Sequence, residues 1–115
     1  MGAIEVSKEL LDKVYEIVEV AKTTGKIKKG TNETTKAIEK GTAKVVAIAK
    51  DISPPEITMH IPLIAEEKNV PCFSVPSKEE LGAAAGIQVG TGSVAVVAEG
   101  EAKNLIKELL SKAKQ

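Results

Sequence analysis

The chain has 115 residues, is 43% hydrophobic and carries no net charge at pH 7. This length suits one domain, and the hydrophobic fraction excludes an intrinsically disordered chain. One Phe, one Tyr and no Trp argue against surfaces that recognise nucleic acid by stacking bases on aromatic rings. We therefore expect a single domain over residues 1–115 with an aliphatic core.

The predicted elements alternate between helices and strands, which is typical of an α/β domain with helices on both faces of a sheet. In chain order they are a helix over 7–24, a strand at 26–29, a short polar helix between Gly30 and Gly41, a strand at 44–49, a helix over 55–69 beginning at Pro55, a strand at 70–75, a helix over 77–85, a loop at 86–93, a strand at 93–98 and a helix over 101–114. The apolar strand at 44–49 is expected to be covered on both faces.

Residues with special backbone roles mark several helix ends. Ser7 is the predicted N-cap of the first helix, and Gly25 is its C-terminal stop. Ser77 and Glu80 have the spacing of a capping box, which predicts another helix start. Pro62 is expected to mark a kink or a second start within the long helix over 55–69.

The polar helix has few apolar residues that could join a hydrophobic core. Asn32, Lys36 and Lys40 recur every four residues and therefore stack along one face, with Glu33 beside them. Donors beside a carboxylate acceptor suit the edges of purine bases, whereas phosphate binding alone needs only cations. The alternative is a solvated helix in which Glu33 and Lys36 form a weak surface pair. The pattern alone leaves both interpretations open.

Charge is segregated along the chain. Residues 22–50 hold eight lysines and two acidic residues, a net charge of +6, and the remainder carries −6. Such segregation produces a one-sided positive field on a neutral molecule, although chance clustering of solvated lysines is the alternative. Gly30 and Thr31 leave the start of the polar helix open, so its free N–H groups can also take an anion.

A glycine-rich loop at Gly86–Gly92 carries two apolar residues, Ile87 and Val89. It lacks the Gly-Lys-Ser/Thr ending of a P-loop and the spacing of a dinucleotide fingerprint. Its apolar residues either contact an unstacked base or a partner, or simply lead into the last strand.

The remaining reactive side chains form no recognisable catalytic motif. His60 has no second His or Cys beside it, and Cys72 is expected to be a small buried hydrophobe. Asp51 and Lys78 resemble parts of a phospho-acceptor receiver site, but lysines stand where that site needs acidic residues for Mg²⁺. The sequence therefore predicts no catalytic residue, no metal site and no cofactor.

Targeting signals and the number of cysteines indicate the cellular compartment in which the protein is expected. No apolar run approaches the roughly 20 residues that cross a bilayer, and no signal-peptide pattern opens the chain. A lone cysteine fits a reducing compartment. We expect a soluble, cytoplasmic protein with no membrane partner.

Five segments, in order along the chain, carry a resemblance to a known family. They are Gly-Thr-Asn-Glu-Thr-Thr-Lys at 30–36, Ala-Lys-Asp-Ile-Ser-Pro-Pro-Glu-Ile at 49–57, His-Ile-Pro-Leu at 60–63, Glu-Glu-Lys at 66–68 and Val-Pro-Ser-Lys-Glu-Glu-Leu-Gly at 75–82. Together they resemble the archaeal kink-turn-binding ribosomal proteins of the large subunit (the L7Ae family). The match runs through essentially the whole chain.

The resemblance implies a three-layer α–β–α sandwich with a small mixed sheet of four to five strands. It also implies binding to RNA kink-turns, in which a bulge is followed by tandem sheared G·A pairs. In the family, Asn, Glu and Lys of the polar helix read the guanine edges of those pairs, a role that falls on Asn32, Glu33 and Lys36. By the same resemblance Lys40 contacts RNA and Lys78 approaches its backbone.

The family's apolar loop covers the bulged nucleotides, and its contacts fall on Ile87, Gln88 and Val89. Gln88 stands where archaeal relatives often have Glu, and the Gly-Thr-Gly at 90–92 is also less usual. Among the lysines before the polar helix, Lys26 is a further expected contact to the RNA backbone.

Family members are non-catalytic scaffolds of the ribosome, of box C/D and H/ACA guide particles and of ribonuclease P, which processes tRNA. The resemblance therefore implies ribosomal, guide and ribonuclease P RNAs as partners, together with proteins that assemble on the bound RNA. We expect a monomer when the protein is free. Two alternatives remain: a small-ligand or nucleotide-binding α/β domain that uses the Gly86–Gly92 loop, and a protein-only interaction module.

Overall fold

The computed structural model describes residues 4–52 and 56–113. Within these residues the strands are β1 (Ile4–Glu5), β2 (Lys26–Lys29), β3 (Val45–Ala49), β4 (Cys72–Val75) and β5 (Ser93–Ala98). The helices are α1 (Lys8–Thr24), α2 (Thr31–Glu39), α3 (Glu56–Glu67), α4 (Lys78–Ala84) and α5 (Lys103–Ala113), with a 3-10 turn at Gly100–Ala102. No helix in this part of the chain is both long and apolar enough to cross a membrane.

The strands form one mixed sheet in the order β1-β4-β3-β5-β2. Strand β4 runs parallel to β1 and β3, whereas β5 runs antiparallel to β3 and β2. Every residue of β3 and β4 is buried, as expected for strands covered on both faces. The predicted mixed sheet is confirmed, and the lysine-rich strand β2 lies at its edge.

Helices cover both faces of the sheet. Successive side chains of a strand point to opposite faces, so Val45 and Ala47 of β3 join one core while Val46 and Ile48 join the other. Helices α1, α4 and α5 complete the first core, and α2 and α3 complete the second. The predicted three-layer α–β–α sandwich is therefore confirmed.

The predicted capping residues occupy the predicted helix ends. The Ser7 hydroxyl accepts a hydrogen bond from the Leu10 N–H (3.4 Å), and the Ser77 hydroxyl accepts one from the Glu80 N–H (3.1 Å). Gly25 ends α1, where its N–H donates to the carbonyl of Ala21 (2.8 Å). These bonds satisfy backbone groups that the helix itself leaves unpaired.

Of the two alternatives predicted for Pro62, a kink or a second helix start, the second is wrong, because Pro62 lies inside the continuous helix α3. A proline removes one helical hydrogen bond. However, Ile61 and Ala65 beside it are fully buried in the second core, and tertiary packing of this kind supplies most of a helix's stability. The predicted start at Pro55 lies outside the described residues.

The strand predicted at 70–75 begins at Cys72, two residues later than expected. Asn69 adopts a left-handed backbone (φ 58°), a conformation common at helix ends. The Val70 N–H then bonds the Ala65 carbonyl (2.8 Å) and closes the end of α3 rather than joining the sheet. The two-residue strand β1, which pairs with β4, was not predicted at all.

Tyr15 links two helices of the first layer. Its hydroxyl on α1 donates a hydrogen bond to Glu80 Oε1 on α4 (3.2 Å). Burial, and then the bond to the Glu80 carboxylate, raise the pKa of Tyr15 from 10.0 to about 12.

The contribution of Tyr15 to the free energy of unfolding should therefore fall as the pH rises from 10.0 to about 12, because in this window the unfolded chain releases a proton that the folded protein keeps. The chain has one Tyr and no Trp, so ultraviolet absorbance follows this ionisation directly. Glu80→Gln should lower the pKa of Tyr15, whereas Glu79→Gln on the same helix should not. A normal phenol pKa in the folded protein would contradict the contact.

Candidate nucleic-acid interface

Helix α2 divides into a buried face and a polar face. Thr34, Ala37 and Ile38 are buried, at the spacing of one helical face, and the latter two belong to the second core. The small contribution of α2 to the core was predicted from the sequence. The complete burial of Thr34 was not, because a threonine gives no hydrophobic signal.

The polar face consists of the four exposed residues Asn32, Glu33, Lys36 and Lys40. Lys36 Nζ lies 4.0 Å from Glu33 Oε2, and both side chains are largely exposed. A pair of this kind contributes little to stability, so both groups remain available to a ligand. The structure thus brings the predicted donors and acceptor onto one surface.

The start of α2 depends on Gly30, whose φ of 94° lies in the region that favours glycine. The Gly30 N–H donates to the Ser93 carbonyl (2.9 Å), and the Gly30 carbonyl accepts the Thr34 N–H (2.9 Å). No side chain caps this helix. Thr31 is half-buried at the first helical position, where the positive end of the helix dipole favours an anion.

A groove of about 380 Å³ lies between α2, β2 and β5. Lys26 and Lys28 of β2 line one side, and Glu33, Lys36 and Lys40 line the other. We call this the lysine groove. Four ammonium groups around one carboxylate give it a positive potential, which attracts polyanions.

The Gly86–Gly92 loop separates the two apolar residues that the sequence predicts as a pair. Val89 is 71% exposed and Gln88 is also exposed. Ile87 is half-buried against the first core, and its N–H donates to the Gly82 carbonyl (2.9 Å). Val89 is therefore more accessible to a ligand than Ile87, which is partly exposed and also packs against the first core.

Close contacts hold this loop against α4. A Cβ atom on Gly82 would lie 2.4 Å from the Val89 carbonyl oxygen, and one on Gly90 would lie 2.8 Å from Lys78 Cγ. The Thr91 N–H also donates to the Lys78 carbonyl (3.1 Å). The exposed Lys78 and the loop therefore form one continuous surface.

Other polar residues have local structural contacts. Asp51 Oδ1 accepts the Lys78 N–H (2.8 Å) and so ties the end of β3 to the start of α4, with no receiver chemistry required. His60 is exposed and bonds the Thr35 hydroxyl (2.9 Å). Cys72 is buried, and burial raises the pKa of its thiol to about 12. Residues 4–52 and 56–113 contain no cluster of three side chains suited to a metal ion.

A second groove, of about 490 Å³, lies between α1 and α4. Its charged lining includes the carboxylates of Asp12, Glu19 and Glu80, with Lys8 as a cation. Helices α1 and α4 cover the other face of the sheet from α2, so this groove with its three carboxylates and the lysine groove lie on opposite faces of the sheet.

Comparison with known proteins decides the family. The model of the ribosomal protein L7Ae/L30e/S12e/Gadd45 family matches residues 12–106. The chain belongs to this family. Among solved structures it is similar to the Giardia lamblia 15.5kD RNA binding protein, with a TM-score of 0.89 and 32% identity over 95% of this chain and 91% of that one. The family resemblance predicted from the sequence is confirmed.

Two residues at the candidate interface were not predicted from the sequence. Lys28 lines the lysine groove beside Lys26, and alternation along strand β2 could have found it. Ser93 is fully buried where β5 meets α2. No local signal identifies Ser93 as a contact of α2, because its partners there, Gly30 and Thr34, are distant in the sequence.

Substitutions on the two faces of α2 should have different effects on the free energy of unfolding. Ile38→Ala removes a fully buried side chain and should lower the free energy of unfolding by about 2–5 kcal/mol. Lys36→Ala changes an exposed residue and should alter it by less than about 0.5 kcal/mol. Urea denaturation followed by circular dichroism measures both, and equal losses would contradict the division of the helix.

Proposed function

We propose that this protein is a non-catalytic RNA-binding protein that recognises kink-turns with tandem sheared G·A pairs. The observation that carries the proposal is the exposed polar face of α2, in which Asn32, Glu33 and Lys36 lie beside the lysine groove. This arrangement offers base-edge contacts and backbone contacts on one surface.

The general part of this proposal, RNA binding of the ribosomal and ribonucleoprotein type without catalysis, follows from the family and from the similarity to an RNA-binding protein. The finer part, kink-turn recognition, is supported by the sequence resemblance at 30–36 and by the exposure of the same residues.

The size of helix α2 limits which RNA structures it can enter. A regular A-form duplex has a deep, narrow major groove that side chains cannot read. A helix such as α2 therefore needs RNA whose groove is opened, as it is where sheared pairs follow a sharp bend. Lys36 and Asn32 would donate to base acceptors, and Glu33 would accept from base amino or imino groups.

The surfaces around α2 suit the RNA on either side of those pairs. Lys26, Lys28 and Lys40 in the lysine groove would contact phosphates. Val89 and the exposed part of Ile87, with Gln88 between them, would cover the bulged nucleotides, while Lys78 would approach the backbone. The protein would stabilise the kinked conformer by binding it in preference to the straight one.

The RNA clients that we propose are ribosomal RNA of the large subunit, box C/D and H/ACA guide RNAs and ribonuclease P RNA. Further proteins would assemble on the bound RNA. A single domain over residues 1–115, a free monomer, a cytoplasmic location and an archaeal source remain predictions from the sequence.

The alternative of a nucleotide site in the Gly86–Gly92 loop is less well supported. The N–H groups of Gly86, Ile87 and Thr91 in this loop already donate to the carbonyls of Ala83, Gly82 and Lys78, which leaves fewer N–H groups for a phosphate. Saturable nucleotide binding without RNA, measured by equilibrium dialysis, would restore this alternative.

Glu33→Ala and Lys36→Ala should each weaken binding to kink-turn RNA by about 1–3 kcal/mol, the scale of one base contact. The first substitution is the sharper test. Removing a carboxylate from a surface that faces a polyanion should by itself strengthen binding, so a loss indicates a lost base contact. Titration against the kink-turn and against a version with disrupted G·A pairs gives the preference for the kinked RNA.

Glu39→Ala is the matched control, because Glu39 is an exposed carboxylate of the same helix that does not line the lysine groove. It should retain the preference. Should Glu33→Ala keep the full preference for the kink-turn, Glu33 does not read the RNA.

Lys26→Ala should weaken binding to all RNAs and lower the slope of log K against log salt by roughly one unit, because one phosphate contact is lost. Titrations at several salt concentrations measure this slope. Lys107→Ala, an exposed lysine of α5 on the opposite layer, should leave it nearly unchanged. An equal change in both variants would mean that only total charge matters.

A further inference from the structure

Ser93, the first residue of β5, is fully buried and makes three polar contacts. Its carbonyl accepts the Gly30 N–H (2.9 Å) and the Thr91 hydroxyl (3.1 Å). Its own hydroxyl donates to Thr34 Oγ1 (3.2 Å). One residue therefore bonds both to the first turn of α2 and to the end of the Gly86–Gly92 loop.

The buried hydroxyl groups of this cluster are not needed to fill the space that they occupy. Thr34 and Ser93 are fully buried and Thr91 nearly so, and each buried hydroxyl must keep its partner to avoid a desolvation penalty. Apolar residues of the same shape would fill the same space at little cost. The hydroxyl groups constrain geometry in addition, because a hydrogen bond restricts the angle and the distance between the segments that it joins.

The loop end is fixed on its other side as well. The Thr91 N–H donates to the Lys78 carbonyl at the start of α4 (3.1 Å). The chain of bonds therefore runs from α2 through Ser93 and Thr91 to α4. The polar face and Val89 lie on the two parts that this chain connects.

We infer that Ser93, with Thr34 and Thr91, is a positioning element that sets the polar face of α2 and the Gly86–Gly92 loop at the spacing needed to contact one RNA together. This inference rests on the proposed function. A preset spacing spares the protein the ordering cost that two independently moving surfaces would meet on binding.

The experiment compares a kink-turn RNA with a straight duplex, using Ser93→Ala and Thr91→Val. Ser93→Ala should weaken kink-turn binding about tenfold, the scale of one buried hydrogen bond. Thr91→Val, which keeps the shape and removes the hydroxyl, should weaken it in the same direction. Binding to the straight duplex should not change, because it depends on lysines that neither substitution touches.

Two matched variants separate positioning from loss of stability. Ser74→Ala removes another buried strand serine, in β4, and should leave the preference for the kink-turn intact even where it lowers the melting temperature. Thr91→Ser keeps the hydroxyl and should bind the kink-turn almost as well as the wild type.

The outcomes are distinct. A wild-type protein with no preference for the kinked RNA overturns the proposed function itself. Given that preference, folded Ser93→Ala and Thr91→Val proteins that retain it overturn the positioning role, as does an equal loss for both RNAs. If Ser93→Ala does not fold, the comparison of Thr91→Val with Thr91→Ser decides the question.

Discussion

The packing of α2 on the sheet is the constraint on which the candidate RNA interface depends. The helix has only three buried residues, Thr34, Ala37 and Ile38, so its orientation is set by a narrow stripe. A narrow stripe leaves the greater part of the helix surface to solvent. That remaining surface can carry Asn32 and Lys36 without any cost to the core. A helix with a broader apolar face would bury more surface, but fewer of its positions would remain for exposed polar residues such as those of the polar face.

Sheet topology supplies the second half of the interface. Because β2 pairs with β5 at the edge of the sheet, Lys26 and Lys28 lie beside α2 in the lysine groove rather than within the core. The acidic residues of α1 and α4 lie beyond the opposite face. A molecule with no net charge thus has one groove lined mainly by lysines and another lined mainly by carboxylates, and only the first has a potential that attracts a polyanion.

The features that could be predicted from the sequence are those that depend on residues close together in the chain. Ser7, Gly25 and Ser77 act on backbone groups within four residues, so local pattern was enough to place them. The polar face of α2 was predictable for the same reason. Strand β1 and Ser93 depend on partners distant in the chain, and such contacts leave no local pattern. The different exposures of two apolar residues in one loop likewise depend on α4, not on the loop itself.

The lysines of β2 have a structural consequence apart from any ligand. An edge strand exposes unpaired backbone groups and can pair with the edge of another molecule. Lys26, Lys28 and Lys29 are exposed on this edge, and charged side chains there oppose such pairing. The same residue type therefore protects the sheet and creates the positive wall of the lysine groove. Exchanging these lysines for apolar residues would therefore remove both properties together.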